Sequence, residues 1–151
     1  MELIICDVTP DQMEMERDVA PLIRHLRPGL TRAQFTTFAA EAHAQGLVFT
    51  AAYDQRWRCL GVAAHRVLAT SRGRLLLVDD LVTDPEARSA GVGERLVVEL
   101  DLRARQAGCV RIELDSGVSN HGAHRFFHGR RMSIVAFHFA QELPDLSGSS
   151  A

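Results

Sequence analysis

Apolar residues recur along this chain at two spacings, and each change of spacing marks an element. "ELIICDV" near the start is a short apolar run and predicts a strand. "TPDQ" follows with the features of a helix start: Thr9 as cap, Pro10 at the first helical position and Gln12 three residues after the cap. Met15, Val19, Leu22, Ile23 and Leu26 then share one helical face, with Pro21 breaking or kinking the helix and "RPGL" ending it. "TRAQ" repeats the capping pattern with Thr31 and Gln34, predicting a second helix to about Gln45, where Gly46 suits the stop. Three strand-like segments come next, "LVFTAAY", "RCLGVAAHRVLA" and "RLLLVDDLV", joined by the turns "DQRWR" and "TSRGR". They predict an antiparallel meander.

Residues 91–107 carry the clearest helical pattern. Val92, Leu96, Val97, Leu100, Ala104 and Ala107 form the apolar face, while Glu94, Arg95, Glu99, Asp101, Arg103 and Arg105 stay polar. Gly108 ends it. "CVRIELDS" alternates as a strand, a short helix is expected near Asn120–Gly129, and "SIVAFHFAQEL" is expected as a last strand. The order βααβββ followed by βαβ-type material predicts an α+β fold with a mixed, predominantly antiparallel sheet flanked by helices. No internal repeat is present.

The chain has 151 residues, a length that suits one domain, which we expect over 1–145, with 146–151 a short frayed tail. Hydrophobic residues at 46% and charged residues at 24% speak for a globular protein rather than a disordered one. A net charge of −2 gives no reason to expect nucleic acid or an anionic membrane as partner. The nine aromatics (seven Phe, one Tyr, one Trp) form no stacking array. Cys6, Cys59 and Cys109 have no metal-ligand spacing, and Cys59 and Cys109 sit in apolar runs that predict buried, reduced thiols. "MELIICDVTP" lacks the pattern of a signal peptide, and no run approaches the roughly 20 apolar residues of a membrane span. A cytoplasmic location is the expectation.

The candidate chemistry lies in "DPEARSAGVGERLV", between the third meander strand and the strong helix. A helix start has unpaired N–H groups and a partial positive charge, which favour an anion. Gly91 and Gly93 let it approach the backbone, and Arg88 adds a charge that pairs with phosphate oxygens. Glu94 and Arg95 after Gly93 exclude a P-loop, and Leu96 stands where a dinucleotide fingerprint needs its third Gly. An Arg-x-x-Gly-x-Gly phosphate loop and an ordinary strand–helix turn both remain.

With Asp80 on the preceding strand and Pro85 ahead of the loop, this stretch resembles the acetyl-CoA pyrophosphate loop of the GNAT superfamily of N-acetyltransferases. "CVRIELDSGVSNHGAHRFFHGRRM" is similar to a later motif of the same family, with Asn120, Ala123, Phe126 and Phe127 carrying the match. The order of elements also agrees, and the resemblance covers nearly the whole chain. It implies a GNAT-like fold that moves an acetyl group directly from acetyl-CoA to the primary amine of a small molecule or protein. No metal is implied, and a homodimer is possible; the last apolar strand would suit pairing with another chain.

The resemblance also implies roles. Leu81, Val82 and Thr83 offer backbone groups to the pantetheine arm, with an N–H near Val82 the oxyanion donor. Arg88, Ser89, Ala90, Gly91, Val92 and Gly93 hold the pyrophosphate, and Asn120 and Phe127 lie along the CoA arm. An ammonium with a pKa near ~10 needs a base, and Asp80 matches the acidic one. Strand alternation would turn the neighbouring Asp79 to the opposite face, so the two are not read as a shared-proton dyad. Phe127 stands where relatives often have a Tyr general acid, which keeps a non-catalytic acyl-CoA-binding domain as the alternative. Tyr53, the only Tyr, does not match that place. His121, His124 and His128 can share one helical face, but nothing completes a metal set at a recognisable spacing. His65 and His138, on predicted strands, are read as structural before catalytic. Arg130 and Arg131 can reach phosphate, or simply favour a helix C-terminus.

Overall fold

The computed structural model describes residues 2–88 and 90–145, so the expectations for Ser89 and for the 146–151 tail lie outside the described residues. The chain divides into two compact units, Met1–Leu114 and Asp115–Ala151.

The first unit is built on a five-stranded sheet in the order β1 (Ile4–Val8), β2 (Val48–Tyr53), β3 (Cys59–Thr70), β4 (Gly73–Thr83) and β5 (Arg111–Leu114). The first three pairings are antiparallel and β4–β5 is parallel. The predicted meander is therefore present. Helix α1 (Ala20–Leu26) and helix α2 (Arg32–Ala44) cover one face of the sheet, where Met15, Val19, Ile23, Phe35 and Ala39 pack with Phe49, Val62, Ala64 and Val82. Helix α3 (Val92–Gln106) covers the other, where Val92, Leu96 and Leu100 pack with Ala63, Leu76 and Val78. Of the predicted stripe on α3, Val92, Leu96, Leu100 and Ala104 are buried, while Val97 and Ala107 are half-buried.

The first helical segment departs from expectation. Thr9 and Gln12 bond each other, Thr9 N–H to Gln12 Oε1 at 2.9 Å, but they close a turn and helix begins only at Met13. A π-helical turn, Met15–Val19, then leads into α1. Pro21 explains it: a proline has no N–H for the carbonyl four residues back and its ring crowds that carbonyl, so the backbone widens before restarting.

The second unit holds α4 (His121–Gly129), capped by Asn120, whose side chain accepts from Ala123 N–H at 3.2 Å. The expected last strand is absent: residues 132–145 carry no regular secondary structure, and no strand among the described residues pairs with them. Apolar alternation makes a segment compatible with a strand, but only a hydrogen-bonded neighbour makes it one. Ile134, Phe137 and Phe139 are 71%, 85% and 92% exposed, without the buried face that would fix a register. No helix among the described residues is long and apolar enough to cross a membrane.

Candidate functional site

The site begins where two strands part. β4 pairs with β5 from Leu75 to Val78, opposite Arg111 to Leu114, and β5 then stops while β4 runs on to Thr83. Among the described residues, 79–83 keep β3 on one side and have no strand partner on the other. Alternate residues of a strand turn N–H and C=O to the same side, so this stretch presents backbone groups along an open edge. Leu81, Val82 and Thr83 lie on it.

A β-bulge shapes the same stretch. Ala64 lies opposite Asp80 and His65 opposite Val78, which leaves Asp79 as the extra residue. The expectation that Asp79 and Asp80 face opposite sides is thereby overturned. Asp80 meets Arg27 at the end of α1, Oδ1 to Nη2 at 2.7 Å. Asp79 meets Arg66, Oδ2 to Nε at 3.0 Å, and Arg66 follows Val62 and Ala64 on the α1 face. Both carboxylates thus lie on the α1 side, each held by its own arginine. They are not a shared-proton pair, but the cause is pairing rather than strand alternation. Arg27, 53 residues from Asp80, has no mark in the sequence that distinguishes it.

The chain then turns into α3. Asp84 donates its N–H to Leu60 O at 2.8 Å, anchoring the turn to β3, and its carboxylate accepts from Glu86 N–H at 3.0 Å. A short 3-10 turn, Pro85–Ala87, follows, with Arg88 exposed after it. Gly91 is the residue before the helix, with φ +79°, in the left-handed region that glycine adopts without a steric cost. It is exposed, a Cβ built on it would meet nothing within 4 Å, and no side chain caps α3. Among the described residues the helix start has no side-chain cap, and the space at Gly91 is open, so the residues present fit an anion. Ala90, Val92 and Gly93 complete it.

Gly61 on β3 sets the depth at which α3 lies. A Cβ there would come within 2.6 Å of Val92 Cγ1 and 3.1 Å of Leu96 Cδ1. The absence of a side chain at this one position lets the first turn of α3 settle on the sheet beside the open edge of β4. Sequence reasoning passed over it, because a glycine within a strand pattern signals close approach without naming the partner.

Other candidates have partners of their own away from this edge. Tyr53 donates its hydroxyl to Asp18 Oδ2 at 2.7 Å, and burial together with that bond pushes its pKa well above the ordinary phenol range. Cys59 is half-buried rather than buried; burial pushes its thiol up to about 12, against a weak bond to the Gly61 carbonyl, so it is no nucleophile at neutral pH. Cys6 and Cys109 are also free and half-buried. His65 is buried and bonded to Thr50, Nε2 to Oγ1 at 2.8 Å. His138 pairs with Asp115, Nδ1 to Oδ2 at 2.8 Å.

Asn120 and Phe127 belong to the second unit. The Asn120 side chain is engaged as a cap, and the Phe127 ring meets Phe126 with centroids 5.4 Å apart. His121 and His124 meet edge to face at 5.9 Å, while His124 bonds Gly117 O at 2.8 Å and His128 lies 3.3 Å from Met132 O. Among the described residues no three His, Cys, Asp or Glu side chains are grouped to hold a metal.

No curated protein matches the sequence closely enough to count as a relative. Solved structures do share the fold. An acetyltransferase of Trypanosoma brucei is 22% identical, with a TM-score of 0.73 over 94% of this chain and 100% of that one. The aminoglycoside N-acetyltransferase AAC(6')-Iy in complex with CoA is 14% identical, with a TM-score of 0.80 over 94% and 95%. Glucosamine-6-phosphate N-acetyltransferase from Arabidopsis thaliana is 17% identical, with a TM-score of 0.74 over 95% and 100%. The model of the acetyltransferase (GNAT) family matches residues 11–131, which span the open edge of β4, the Gly91 helix start and α4. The chain belongs to the acetyltransferase (GNAT) family of enzymes.

Proposed function

We propose that residues 1–145 act as one acetyltransferase domain that moves the acetyl group of acetyl-CoA directly to a primary amine of a small molecule or protein. The observation that carries this reading is the left-handed Gly91 at the start of α3, which no side chain among the described residues caps, beside the stretch of β4 that β5 leaves unpaired. Acetyl-CoA supplies the activated thioester; the remaining work falls to the chain's own groups.

The N–H groups of the loop from Arg88 through Ser89, Ala90, Gly91, Val92 and Gly93 hold the pyrophosphate, with the Arg88 guanidinium adding charge. Leu81, Val82 and Thr83 align the pantetheine arm as an added strand aligns on a sheet edge. An N–H near Val82 stabilises negative charge developing on the carbonyl oxygen. Asn120 and Phe127 are assigned to CoA by the family resemblance alone. Asp80 takes the proton of the acceptor ammonium, directly or through one water. Arg27 occupies its Oδ1, which leaves Oδ2 for that proton and fixes the carboxylate. The AAC(6')-Iy and glucosamine-6-phosphate enzymes act on amino sugars by their names, and this supports an amine acceptor here without choosing one.

Phe127 favours a second reading, an acyl-CoA-binding domain without catalysis, because it has no proton for the departing thiolate. A thiol with a pKa near ~8.5 leaves tolerably without help, so the first reading keeps precedence. Release of free thiol from acetyl-CoA across a panel of primary amines separates the two. The catalytic reading expects some amine to raise release above hydrolysis, and Asp80→Asn to lower kcat about 100-fold or more. If no amine does so while acetyl-CoA still binds, the binding-domain reading replaces it. Phe127→Tyr is expected to raise kcat where thiolate departure limits the rate. A homodimer is also proposed, and sedimentation giving a monomer at assay concentration would remove it.

A further inference from the structure

The far end of α3 holds a different feature. Beneath its last turn, on the sheet face it covers, lies an open cavity of about 460 Å³ whose walls include Val48, His65, Val67, Leu76, Gln106 and Ala107. That is within the size of a small-molecule site. It lies along a helix of 15 residues from the Gly91 loop, roughly 20 Å away at 1.5 Å per residue.

One polar atom at this cavity can be assigned in detail. Asp7 on β1 is gripped by Arg103 of α3, with Oδ1 to Nη2 at 2.7 Å and Oδ2 to Nη1 at 2.9 Å. Burial alone would raise its pKa, but the bonds from Arg103 and Thr50 and the Arg103 charge outweigh it and hold the carboxyl below its ordinary range. Asp7 is therefore an acceptor only. Thr50 Oγ1 stands 2.8 Å from Asp7 Oδ1 and 2.8 Å from His65 Nε2. A hydroxyl has one proton, and the carboxylate takes it. The Thr50 oxygen must then accept from His65, which makes His65 the Nε2–H tautomer. Burial and the nearby Arg103 charge keep this ring neutral, lowering its pKa to about 4, so Nδ1 carries a bare lone pair. His65 is 4% exposed and lines the cavity, and its hydrogen bond is that of Nε2 with Thr50, which leaves Nδ1 for a ligand.

The order of the relay also rules out a nucleophile. Thr50 donates its hydrogen bond to Asp7 rather than to His65, and Asp7, with its pKa lowered, is too weak a base to activate the hydroxyl. Nor does the cavity suit an anion: Arg103 is paired with Asp7 and Glu99, and Arg66 with Asp79. What remains is a largely apolar wall of Val48, Val67, Leu76 and Ala107 with one fixed acceptor, beside the exposed amide of Gln106.

We propose that this cavity is a second ligand site, separate from the acetyl-CoA cradle, for a small uncharged and largely apolar molecule carrying one hydroxyl or N–H donor, which it gives to His65 Nδ1.

The test uses the full chain labelled with ¹⁵N at histidine and two probes of similar size, 4-methylphenol and toluene. Titration with 4-methylphenol is expected to move the His65 Nδ1 resonance saturably, with an affinity about tenfold tighter than that of toluene. Ala107→Phe, which fills the cavity, is expected to abolish the shift and leave acetyl-CoA affinity unchanged. Equal affinity for the two probes, an unmoved Nδ1, or a shift that survives in Ala107→Phe would each overturn the proposal.

Discussion

The two long helices of the first unit start in opposite ways. At α2, Thr31 accepts from Gln34 N–H at 3.1 Å while the Gln34 side chain accepts from Thr31 N–H at 2.9 Å, a complete capping box. At α3, Gly91 stands in the cap position with a left-handed backbone and no side chain to cap with. The first start satisfies two of its donors with side chains, and at the second no side chain among the described residues caps the helix. The proposed acetyl-CoA cradle rests on that difference, since the start without a cap among the described residues is the one beside the unpaired stretch of β4. On the proposed function, the contrast separates a helix start that serves stability from one that serves binding.

The sharpest way to break this contrast is to close the open start. Gly91→Asp brings a carboxylate to the helix end, where it takes the N–H groups and repels phosphate. Acetyl-CoA affinity by calorimetry should fall about 100-fold, the loss of two charge-assisted hydrogen bonds. Gly61→Ala attacks the seat of the same helix. Its new Cβ, 2.6 Å from Val92 Cγ1, should cost about 1–3 kcal/mol in denaturant unfolding and weaken acetyl-CoA as the first turn shifts.

A pH titration sharpens the comparison at the other end of α3, which Arg103 ties to Asp7, Thr50 and His65. Above pH 6.5 the His65 ring is neutral in both states, while below it the unfolded chain binds a proton that the folded chain does not take until about pH 4. Stability should therefore fall as pH drops through that window, by about 1 kcal/mol per unit, and His65→Gln should flatten the slope. Asp7, whose pKa is lowered on folding, adds a further loss of the same sign below its ordinary range. The smallest change expected is at the closed start. Thr31→Ala should cost about 1 kcal/mol of stability and leave acetyl-CoA affinity where it was.

Much of this was legible from residues alone, for local reasons. The capping box of α2, the stripe of α3 and the glycine at its start are each written within a few positions. The family match over residues 11–131 bears out the resemblance read from Arg88, Gly91, Asn120 and Phe126. What escaped was non-local. The bulge that turns Asp79 and Asp80 to one face depends on where β3 lies opposite β4, and nothing in "VDDLV" marks an extra residue. Arg27 reaches Asp80 only through the packing of α1, and Gly61 matters only because Val92 lands on it. The absent last strand failed for the same reason: "SIVAFHFAQEL" has the alternation of a strand, and a strand also needs a neighbour.

The most direct measurement compares acetyl-CoA with S-acetylpantetheine, which has the same thioester and arm but no pyrophosphate or nucleotide, on the parent chain and on Gly91→Asp. The account predicts that acetyl-CoA binds the parent about 100-fold tighter than S-acetylpantetheine, and that Gly91→Asp closes most of that gap. An undiminished gap in Gly91→Asp, or no acetyl-CoA binding by the parent, would contradict the claim that the open start of α3 holds the pyrophosphate.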